Sequence, residues 1–250
     1  MKAGVMKKVS IKLWIYGKHA VISALHNSKR QHYQLLLTKQ TEARLQLSLA
    51  KICPVKPQIV TIQQIEQILP KNSLHQGIAL ETSTIIINGI ENLELDHSKK
   101  RICIIALDQI TDQYNIGSII RSAAAFNIGA IITLADNTPI ETNHIAKSAS
   151  GGLEIVPLIK VVNLTKTIQY LQSHGFWSIG LDSHTDRHLQ EVKLPERSLF
   201  VVGSEHSGIR RLTKENCDIL AKIKMSSQIE SLNVSVAAAI AMQAYYATFY

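Results

Sequence analysis

The fold of the C-terminal half is decided by three stretches: Val201-Val202-Gly203-Ser204-Glu205, Ala221-Lys222-Ile223-Lys224-Met225 and Ser231-Leu232-Asn233-Val234-Ser235-Val236-Ala237. The first two are typical of short apolar strands that end in polar loops, and the third opens a helix. In open α/β sheets, ligands bind beyond the carboxyl ends of the strands. The sequence therefore predicts a binding site where these loops lie side by side.

A segment about eighty residues earlier predicts the other half of the same site. The strand Ile102 to Leu107 leads into a polar loop, and we expect a helix to begin near Asn115. Arg121 follows Asn115 by six residues, so the two need not share a helix face. Both can serve one site if Asn115 caps the helix from the loop.

From Arg101 onward, short strands rich in Val and Ile alternate with helical segments. This alternation predicts an α/β fold with a mostly parallel sheet covered by helices. The predicted strands are 102–107, 130–134, 156–161, 177–181, 199–202 and 221–225.

The first part of the chain predicts a second, smaller α/β domain over residues 1–87. Polar residues over 88–100 predict a linker between the two domains. The predicted elements of the small domain are helix 18–26, strand 33–37, helix 42–52, strand 58–62, helix 63–68 and strand 78–87.

The net charge of +8 comes entirely from the first part of the chain. Residues 1–100 contain 14 Lys+Arg and 6 Asp+Glu, whereas residues 101–250 contain 13 of each. A basic module favours nucleic acid, because neutralising phosphates releases counterions. A single lysine is more often a solubilising surface group, so the prediction applies to the set. Its members are Lys7, Lys8, Lys12, Lys18, Lys29, Arg30, Lys39 and Arg44.

The three C-terminal stretches and residues 106–126 resemble the signature motifs of the SpoU class of SPOUT RNA methyltransferases. That class transfers a methyl group from S-adenosylmethionine to a ribose 2′-hydroxyl. The resemblance covers roughly residues 101–250, and Tyr16-Gly17-Lys18-His19-Ala20-Val21 with His75-Gln76-Gly77-Ile78-Ala79 looks like the family's N-terminal RNA-binding domain.

The resemblance implies a C-terminal trefoil knot in the methyltransferase domain 101–250, and a homodimer. The strand pattern by itself reveals no knot. The implied substrate is the ribose of a guanosine in 23S ribosomal RNA. Transfer RNA is the nearest alternative, since substrate choice depends on RNA shape and on the N-terminal surface.

The resemblance also implies roles for individual residues. An arginine pKa above ~12 leaves little neutral guanidine at pH 7, so we expect Arg121 to bind phosphate and stabilise charge rather than act as a free base. Several of the polar residues are equally typical of helix caps. The implied catalytic residues are Asn115, Arg121, Glu205, Ser231 and Asn233; the cofactor contacts are Gly203, Ile223, Met225 and Leu232; the RNA contacts are Lys18, Arg30 and His75.

Three positions depart from the family's motifs. His206 and Ser227 stand where glycine is usual, and Lys224 stands where proline is usual. We expect the charge of Lys224 to lower the affinity for a cationic cofactor. If cofactor binding were lost, the chain would be a non-catalytic RNA-binding or ribosome-assembly protein, but the retained catalytic residues favour an active enzyme.

The remaining patterns predict no metal site, disulfide or membrane span. Cys53, Cys103 and Cys217 are widely spaced and form no C-x-x-C pair. His184 and His188 are four residues apart, but no Glu follows His184 as a zinc-protease pattern requires. The uncharged residues 232–250 include polar residues and alanines, which favours a buried helix over a bilayer span. Without a secretory signal pattern, we expect a cytoplasmic protein.

Overall fold

The computed structural model describes residues 11–49, 54–94, 98–136, 142–205, 207–226 and 228–250, with the side chains of 46–49 excepted. The chain divides into two compact units, Met1–Ile85 and Ile86–Tyr250. Five residues named above lie outside the described residues: Lys7, Lys8, Cys53, His206 and Ser227.

Among its described residues, the first unit contains a four-stranded sheet and three helices. Its strand order is β1-β4-β2-β3, in which β4 is antiparallel to both neighbours and β2 is parallel to β3. Its apolar core is built around Tyr16, Leu36 and Ile65. The elements are β1 (Lys12–Tyr16), α1 (Lys18–His26), β2 (His32–Leu37), α2 (Lys39–Leu49), β3 (Gln58–Ile59), α3 (Ile62–Ile68) and β4 (Ile78–Ser83).

The second unit is a seven-stranded sheet in the order β11-β9-β10-β6-β7-β8-β5, in which every pair of neighbouring strands is parallel. This confirms the predicted α/β class with a large parallel sheet. Its elements are β5 (Ile87–Asn88), β6 (Ile102–Asp108), α4 (Gln113–Ala125), β7 (Ala130–Leu134), α5 (Asn143–Ala149), β8 (Leu158–Val161), α6 (Leu164–Ser173), β9 (Trp177–Leu181), β10 (Arg197–Gly203), α7 (Arg211–Glu215), β11 (Ile219–Ala221) and α8 (Val234–Phe249).

The boundary between the units differs from the prediction. The predicted strand 78–87 is two strands in different sheets, β4 in the first unit and β5 in the second. The predicted linker 88–100 begins inside β5, and Ile90 is buried in the core of the second unit with Leu93 packed against it. The reason is apolar burial: these side chains cover the sheet instead of remaining in solvent.

Strand β11 also differs from the prediction, which placed it at 221–225. Within the described residues its strand partner is β9, and that pairing ends at Ala221 opposite Leu181, the last residue of β9. One further isolated bridge joins Lys222 to His188. Residues 223–225 therefore have no strand beside them and form a loop.

Helix α8 contacts α4, β6 and β10. Its buried residues recur at helical spacing, from Val234 through Ala238 and Ala241 to Tyr245. Within the described residues, no helix is both long and apolar enough to cross a membrane.

The two described cysteines are free, and Cys103 is buried while Cys217 is partly buried. Burial raises the pKa of the Cys103 thiol well above its ordinary value. Burial, followed by the charges of Asp218 and Asp108, raises the pKa of Cys217 to about 12. Both thiols are therefore protonated near neutral pH, as expected of structural cysteines.

Candidate active site

Three predicted catalytic residues meet beyond the carboxyl ends of β6 and β10. Glu205 Oε1 accepts hydrogen bonds from Asn115 Nδ2 at 3.1 Å and from Asn233 Nδ2 at 2.7 Å. Asn233 Nδ2 also donates to Asn115 Oδ1 at 2.9 Å. These three side chains, which we call the Asn–Glu–Asn cluster, join the loop after β10 to the first turns of α4 and α8.

The cluster is placed by two helix N-termini. Asn233 is the N-cap of α8, with Oδ1 accepting from the Ser235 backbone N–H at 2.9 Å. Glu205 Oε1 also lies 3.4 Å from the backbone N of Val234, so its charge meets the positive end of the α8 dipole.

Asn115 does not cap α4, contrary to the interpretation from sequence. The cap is Asp112, whose Oδ1 accepts from the Asn115 backbone N–H at 2.7 Å. Asn115 therefore lies within the first turn, and its amide side chain is left to bind Glu205.

The cluster keeps hydrogen-bonding capacity for a ligand. Within the part of the chain that the structure describes, Glu205 Oε2 has no hydrogen-bond partner, and Asn115 Nδ2 uses one of its two hydrogens. Asn233 Nδ2 uses both of its hydrogens inside the cluster. A ligand hydroxyl can therefore be bound by Glu205 Oε2 and Asn115 Nδ2 together.

The loop that carries Glu205 is a tight turn that only glycine permits at its first position. A Cβ added to Gly203 would lie 2.0 Å from the carbonyl carbon of Gly208. Gly208 has a φ of +63°, and its N–H donates to Ser204 O at 2.9 Å. Ser204 Oγ and Ser207 Oγ are also hydrogen-bonded, at 2.7 Å.

An ion pair between the buried Asp108 and the exposed Arg210, which sequence reasoning missed, anchors this loop to β6. Asp108 is fully buried and accepts from the Arg210 backbone N at 2.9 Å and from Arg210 Nε at 2.7 Å. Asp108 is also in register with Gly203 across the two strands. The available signal was an acidic residue directly after the apolar run of β6.

A cavity of about 430 Å³ lies beside Glu205, within the size range of small-molecule sites. The loops after β10 and β11 and the start of α8 form one part of its wall. All four predicted cofactor residues line it, together with two of the predicted catalytic residues: Gly203, Ile223, Met225, Leu232, Glu205 and Ser231.

Another part of the wall was not predicted, because all of its residues except Lys222 lie outside the quoted motif stretches. It comes from the end of β9 and from residues near α7 and β11. The signal was the carboxyl end of one more parallel strand, where this fold class places ligands. The residues are Leu181, Asp182, Ser183, His184, His188, Lys214 and Lys222.

The charges in the wall include an ion pair at 2.8 Å between Asp182 Oδ2 and Lys214 Nζ. Burial opposes ionisation of Asp182, but hydrogen bonds from Lys214 and His184 outweigh it, so the pKa of this carboxyl is lowered. The wall holds three carboxylates, Asp182, Glu205 and Glu230, against two lysines. A ligand with a positive charge is therefore compatible with it.

The expected effect of Lys224 on cofactor affinity stays a prediction. Lys224 is exposed and does not line the cavity, whereas Lys222, two residues earlier, does.

Arg121 and Ser231 are not part of the Asn–Glu–Asn cluster. Arg121 is exposed on α4, and within the described residues its side chain has no hydrogen bond or ion pair. Six residues of helix place it about 240° around the axis from Asn115. Ser231 lines the cavity at the loop before α8.

Two of the three predicted RNA contacts are buried in the first unit. Arg30 is 5% exposed and donates from Nη1 to the Ser83 carbonyl at 2.6 Å. His75 is 7% exposed, and its Nδ1 accepts from the Gly77 backbone N–H at 3.1 Å. These two side chains bond to the unit's own backbone, and their contact with RNA stays a prediction. Lys18 is exposed at the start of α1 and remains available.

No cluster of three or more His, Cys, Asp or Glu residues suited to a metal ion occurs among the residues described. His184 and His188 line the cavity instead, and His184 Nδ1 lies 3.2 Å from Asp182 Oδ1.

Two segments of the chain match known protein families. Residues 102–243 match the family described as the SpoU rRNA Methylase family. Residues 14–85 match the family described as RNA 2′-O ribose methyltransferase substrate binding.

Full-length relatives are similar over most of the chain. A Coxiella burnetii protein named 23S rRNA (guanosine-2′-O-)-methyltransferase RlmB is 35% identical over 232 residues, covering 91% of this chain and 92% of the relative. A Salmonella typhimurium protein of the same name is 35% identical over 235 residues, covering 91% and 95%.

Solved structures share the fold. The SpoU methyltransferase AviRb from Streptomyces viridochromogenes, in complex with AdoMet, has a TM-score of 0.80 at 19% identity, covering 95% of this chain and 90% of that chain. A putative RNA methyltransferase of the TrmH family from Porphyromonas gingivalis has a TM-score of 0.77 at 19% identity, covering 94% and 89%.

Proposed function

The chain belongs to the SpoU rRNA methylase family, and from this premise we propose that it methylates the ribose 2′-hydroxyl of a guanosine in 23S ribosomal RNA, using S-adenosylmethionine. The relatives named for that reaction are 35% identical to this chain in sequence, and the alignments cover 91% of it. The observation that carries the proposal is the position of the Asn–Glu–Asn cluster, beside a cavity lined by all four predicted cofactor residues.

The cavity fits S-adenosylmethionine in size and charge. Its volume of about 430 Å³ suits a ligand of this size, and its carboxylates outnumber its lysines. When bound, the cofactor supplies an electrophilic methyl group on a positively charged sulfur. We propose that Gly203, Ile223, Met225 and Leu232 hold it, with Asp182 and Lys214 forming the polar wall at the end of β9.

The Asn–Glu–Asn cluster orients the hydroxyl that receives the methyl group. Glu205 Oε1 holds the amides of Asn115 and Asn233, which leaves Oε2 to accept the hydroxyl proton or its hydrogen bond. Asn115 Nδ2 then donates its second hydrogen to the oxygen of that ribose hydroxyl. Fixing the nucleophile in line with the methyl group removes much of the entropic part of the barrier.

Arg121 has a separate role in this proposal. Its guanidinium is exposed on α4 and suits a phosphate of the target RNA, which it can bind through two parallel hydrogen bonds. Ser231, in the cavity wall, contacts the cofactor.

The proposal includes a C-terminal trefoil knot, a homodimer and a cytoplasmic location. The knot is supported by the path from edge strand β11 back to α8, which packs on the central strands β6 and β10. The dimer is supported by the exposed apolar residues Val236, Tyr246 and Tyr250 of α8 and its end. The lysine-rich first unit is proposed to bind the RNA substrate, since residues 14–85 match the substrate-binding family.

The first test is isothermal titration of the protein with S-adenosylmethionine and with its demethylated product. We expect saturable binding at one site per protomer, followed by methyl transfer to 23S ribosomal RNA but not to transfer RNA. RNA affinity without cofactor binding would instead support the non-catalytic RNA-binding alternative.

An Arg121→Ala variant tests whether Arg121 acts on the RNA while the residues of the cavity wall bind the cofactor. We expect turnover to be abolished while the affinity for S-adenosylmethionine is retained, because Arg121 lies outside the cavity wall. Unchanged turnover would remove Arg121 from the mechanism.

A further inference from the structure

One face of α4 is exposed beside the Asn–Glu–Asn cluster. Tyr114, Ser118 and Arg121 are all exposed, and their spacing of four and then three residues places them in one stripe along the helix. Tyr114 is 65% exposed, although it directly precedes Asn115 in the first turn.

A second ring lies next to Tyr114. The His144 ring, from the first turn of α5, has its centroid 6.2 Å from that of Tyr114, with an angle of 52° between the planes. Thr142, the N-cap of α5, donates from Oγ1 to Gln113 Oε1 at 2.6 Å. The two helix starts that carry the rings are therefore joined.

The helices are also packed too closely to shift independently. A Cβ added to Gly117 would lie 2.4 Å from Ser148 Cβ, so α4 and α5 approach at a distance that only glycine permits. The Tyr114–His144 pair is therefore presented on a rigid support, which lowers the entropy lost when a ligand binds.

The positions of Tyr114 and Arg121 relative to the Asn–Glu–Asn cluster indicate which part of an RNA substrate this face of α4 would contact. Asn115 binds Glu205, and Tyr114 directly precedes Asn115 in the first turn, with its side chain about 100° around the helix axis from that of Asn115. Arg121 lies on the face of Tyr114, about 10 Å further along the axis. An aromatic ring and a guanidinium on one face suit the base and the phosphate of a nucleotide segment.

We propose that the Tyr114–His144 pair is a stacking site for an unpaired base of the RNA substrate, adjacent to the ribose that is methylated. This inference rests on the proposed function and adds the base-binding site to it. Single-stranded RNA is recognised by stacking its splayed bases on aromatic side chains, whichever base is present. Arg121 binds a phosphate of the same segment.

The test compares Tyr114→Ala and Tyr114→Phe with a matched control, Trp177→Ala. Trp177 is 53% exposed at the amino end of β9, the opposite edge of the same sheet. RNA affinity is measured without cofactor, by fluorescence anisotropy with labelled 23S RNA fragments. The affinity for S-adenosylmethionine is measured by titration, and the oligomeric state by sedimentation.

We expect Tyr114→Ala to weaken RNA binding by about 10- to 100-fold, the range of one base–aromatic stack. Tyr114→Phe should retain the affinity, because the ring and not the hydroxyl binds. Trp177→Ala should match the wild type, and S-adenosylmethionine affinity should be the same in all four proteins.

Unchanged RNA affinity in Tyr114→Ala would overturn the inference, as would equal losses in the Ala and Phe variants. A change of oligomeric state in Tyr114→Ala would also overturn it, by assigning the ring to an interface between two copies of the chain. Failure of the wild type to bind S-adenosylmethionine would instead refute the proposed function. The RNA measurement needs no cofactor and would still decide the stacking site.

Discussion

The motif residues at the carboxyl edge of the large sheet and those of the first unit differ in their burial and in their hydrogen-bond partners. At the large sheet, Asn115, Glu205 and Asn233 are bonded to one another and leave polar atoms for a ligand. In the first unit, Arg30 and His75 are buried and bonded to their own backbone. Motif residues thus include some that keep hydrogen-bonding capacity for a ligand and some that are bonded to nearby backbone, and burial separates the two kinds.

Among the variants that separate these two regions, the largest expected effect is loss of the shared acceptor of the Asn–Glu–Asn cluster. Glu205→Leu should lower turnover by roughly 10²- to 10³-fold, the usual cost of removing one preorganised polar group from an active site. Glu205→Gln keeps an acceptor oxygen but loses the charge, so its turnover should lie between those of Glu205→Leu and the wild type.

The matched control is Glu215→Gln, which removes an exposed carboxylate of α7 outside the cavity wall. Methyl transfer to 23S ribosomal RNA is the measurement. If Glu205→Leu and Glu215→Gln had equal turnover, the cluster would have no catalytic role.

Arg30 should behave as a stabilising residue. Arg30→Met removes the donor to the Ser83 carbonyl, so we expect the free energy of unfolding to fall by about 1–3 kcal/mol. The RNA affinity of the folded protein should not change. Urea unfolding monitored by circular dichroism gives the first quantity, and anisotropy gives the second.

Its neighbour Lys29, which is exposed, supplies the control. Lys29→Met should change stability by less than about 0.5 kcal/mol. A stable Arg30→Met protein with weakened RNA binding would restore Arg30 as an RNA contact.

Lys18, in contrast to Arg30, should affect RNA binding and not stability, and the expected change is smaller. Lys18→Met should leave stability unchanged and reduce the salt dependence of RNA binding by about one unit of slope, as for one lost phosphate contact. Lys18→Arg keeps the charge and should retain the slope. Equal salt slopes in the wild type and Lys18→Met would exclude a phosphate contact.

The smallest effect concerns acid stability of the second unit. The pKa of Asp182 is lowered because hydrogen bonds from Lys214 and His184 outweigh its burial, and that of Asp218 because bonds from Ser178 and Gln172 do so. A lowered folded pKa gives stability that is present above the ordinary value of 3.8 and lost as the pH falls through the folded pKa.

Unfolding between pH 2 and pH 6 tests this dependence. Asp218→Asn should be less stable than the wild type above about pH 4, with the difference shrinking in acid. A difference that grew on acidification would have the wrong sign and would contradict the assignment.

Much of the fold was predictable because its signals are local. The predicted helix 18–26 and strands 130–134 and 177–181 coincide with α1, β7 and β9. The bounds of strand β11 were predicted wrongly because the pairing of this edge strand with β9 ends at Leu181. The residues of β11 themselves do not indicate where β9 ends. Ile90 was assigned to a linker because its neighbours in sequence are polar. The apolar residues that bury it are distant in sequence.

The sequence by itself determined the α/β alternation, the basic first unit and the motif residues that line the cavity, because hydrophobic period, charge and motif spacing are properties of neighbouring residues. Only the tertiary structure decided that Glu205 is the shared acceptor of two asparagines, that Asp108 anchors its loop through Arg210, and that Arg30 and His75 are buried. These outcomes depend on which distant segments pack together. Burial and hydrogen-bond partners are therefore fixed by the assembled fold and not by local sequence.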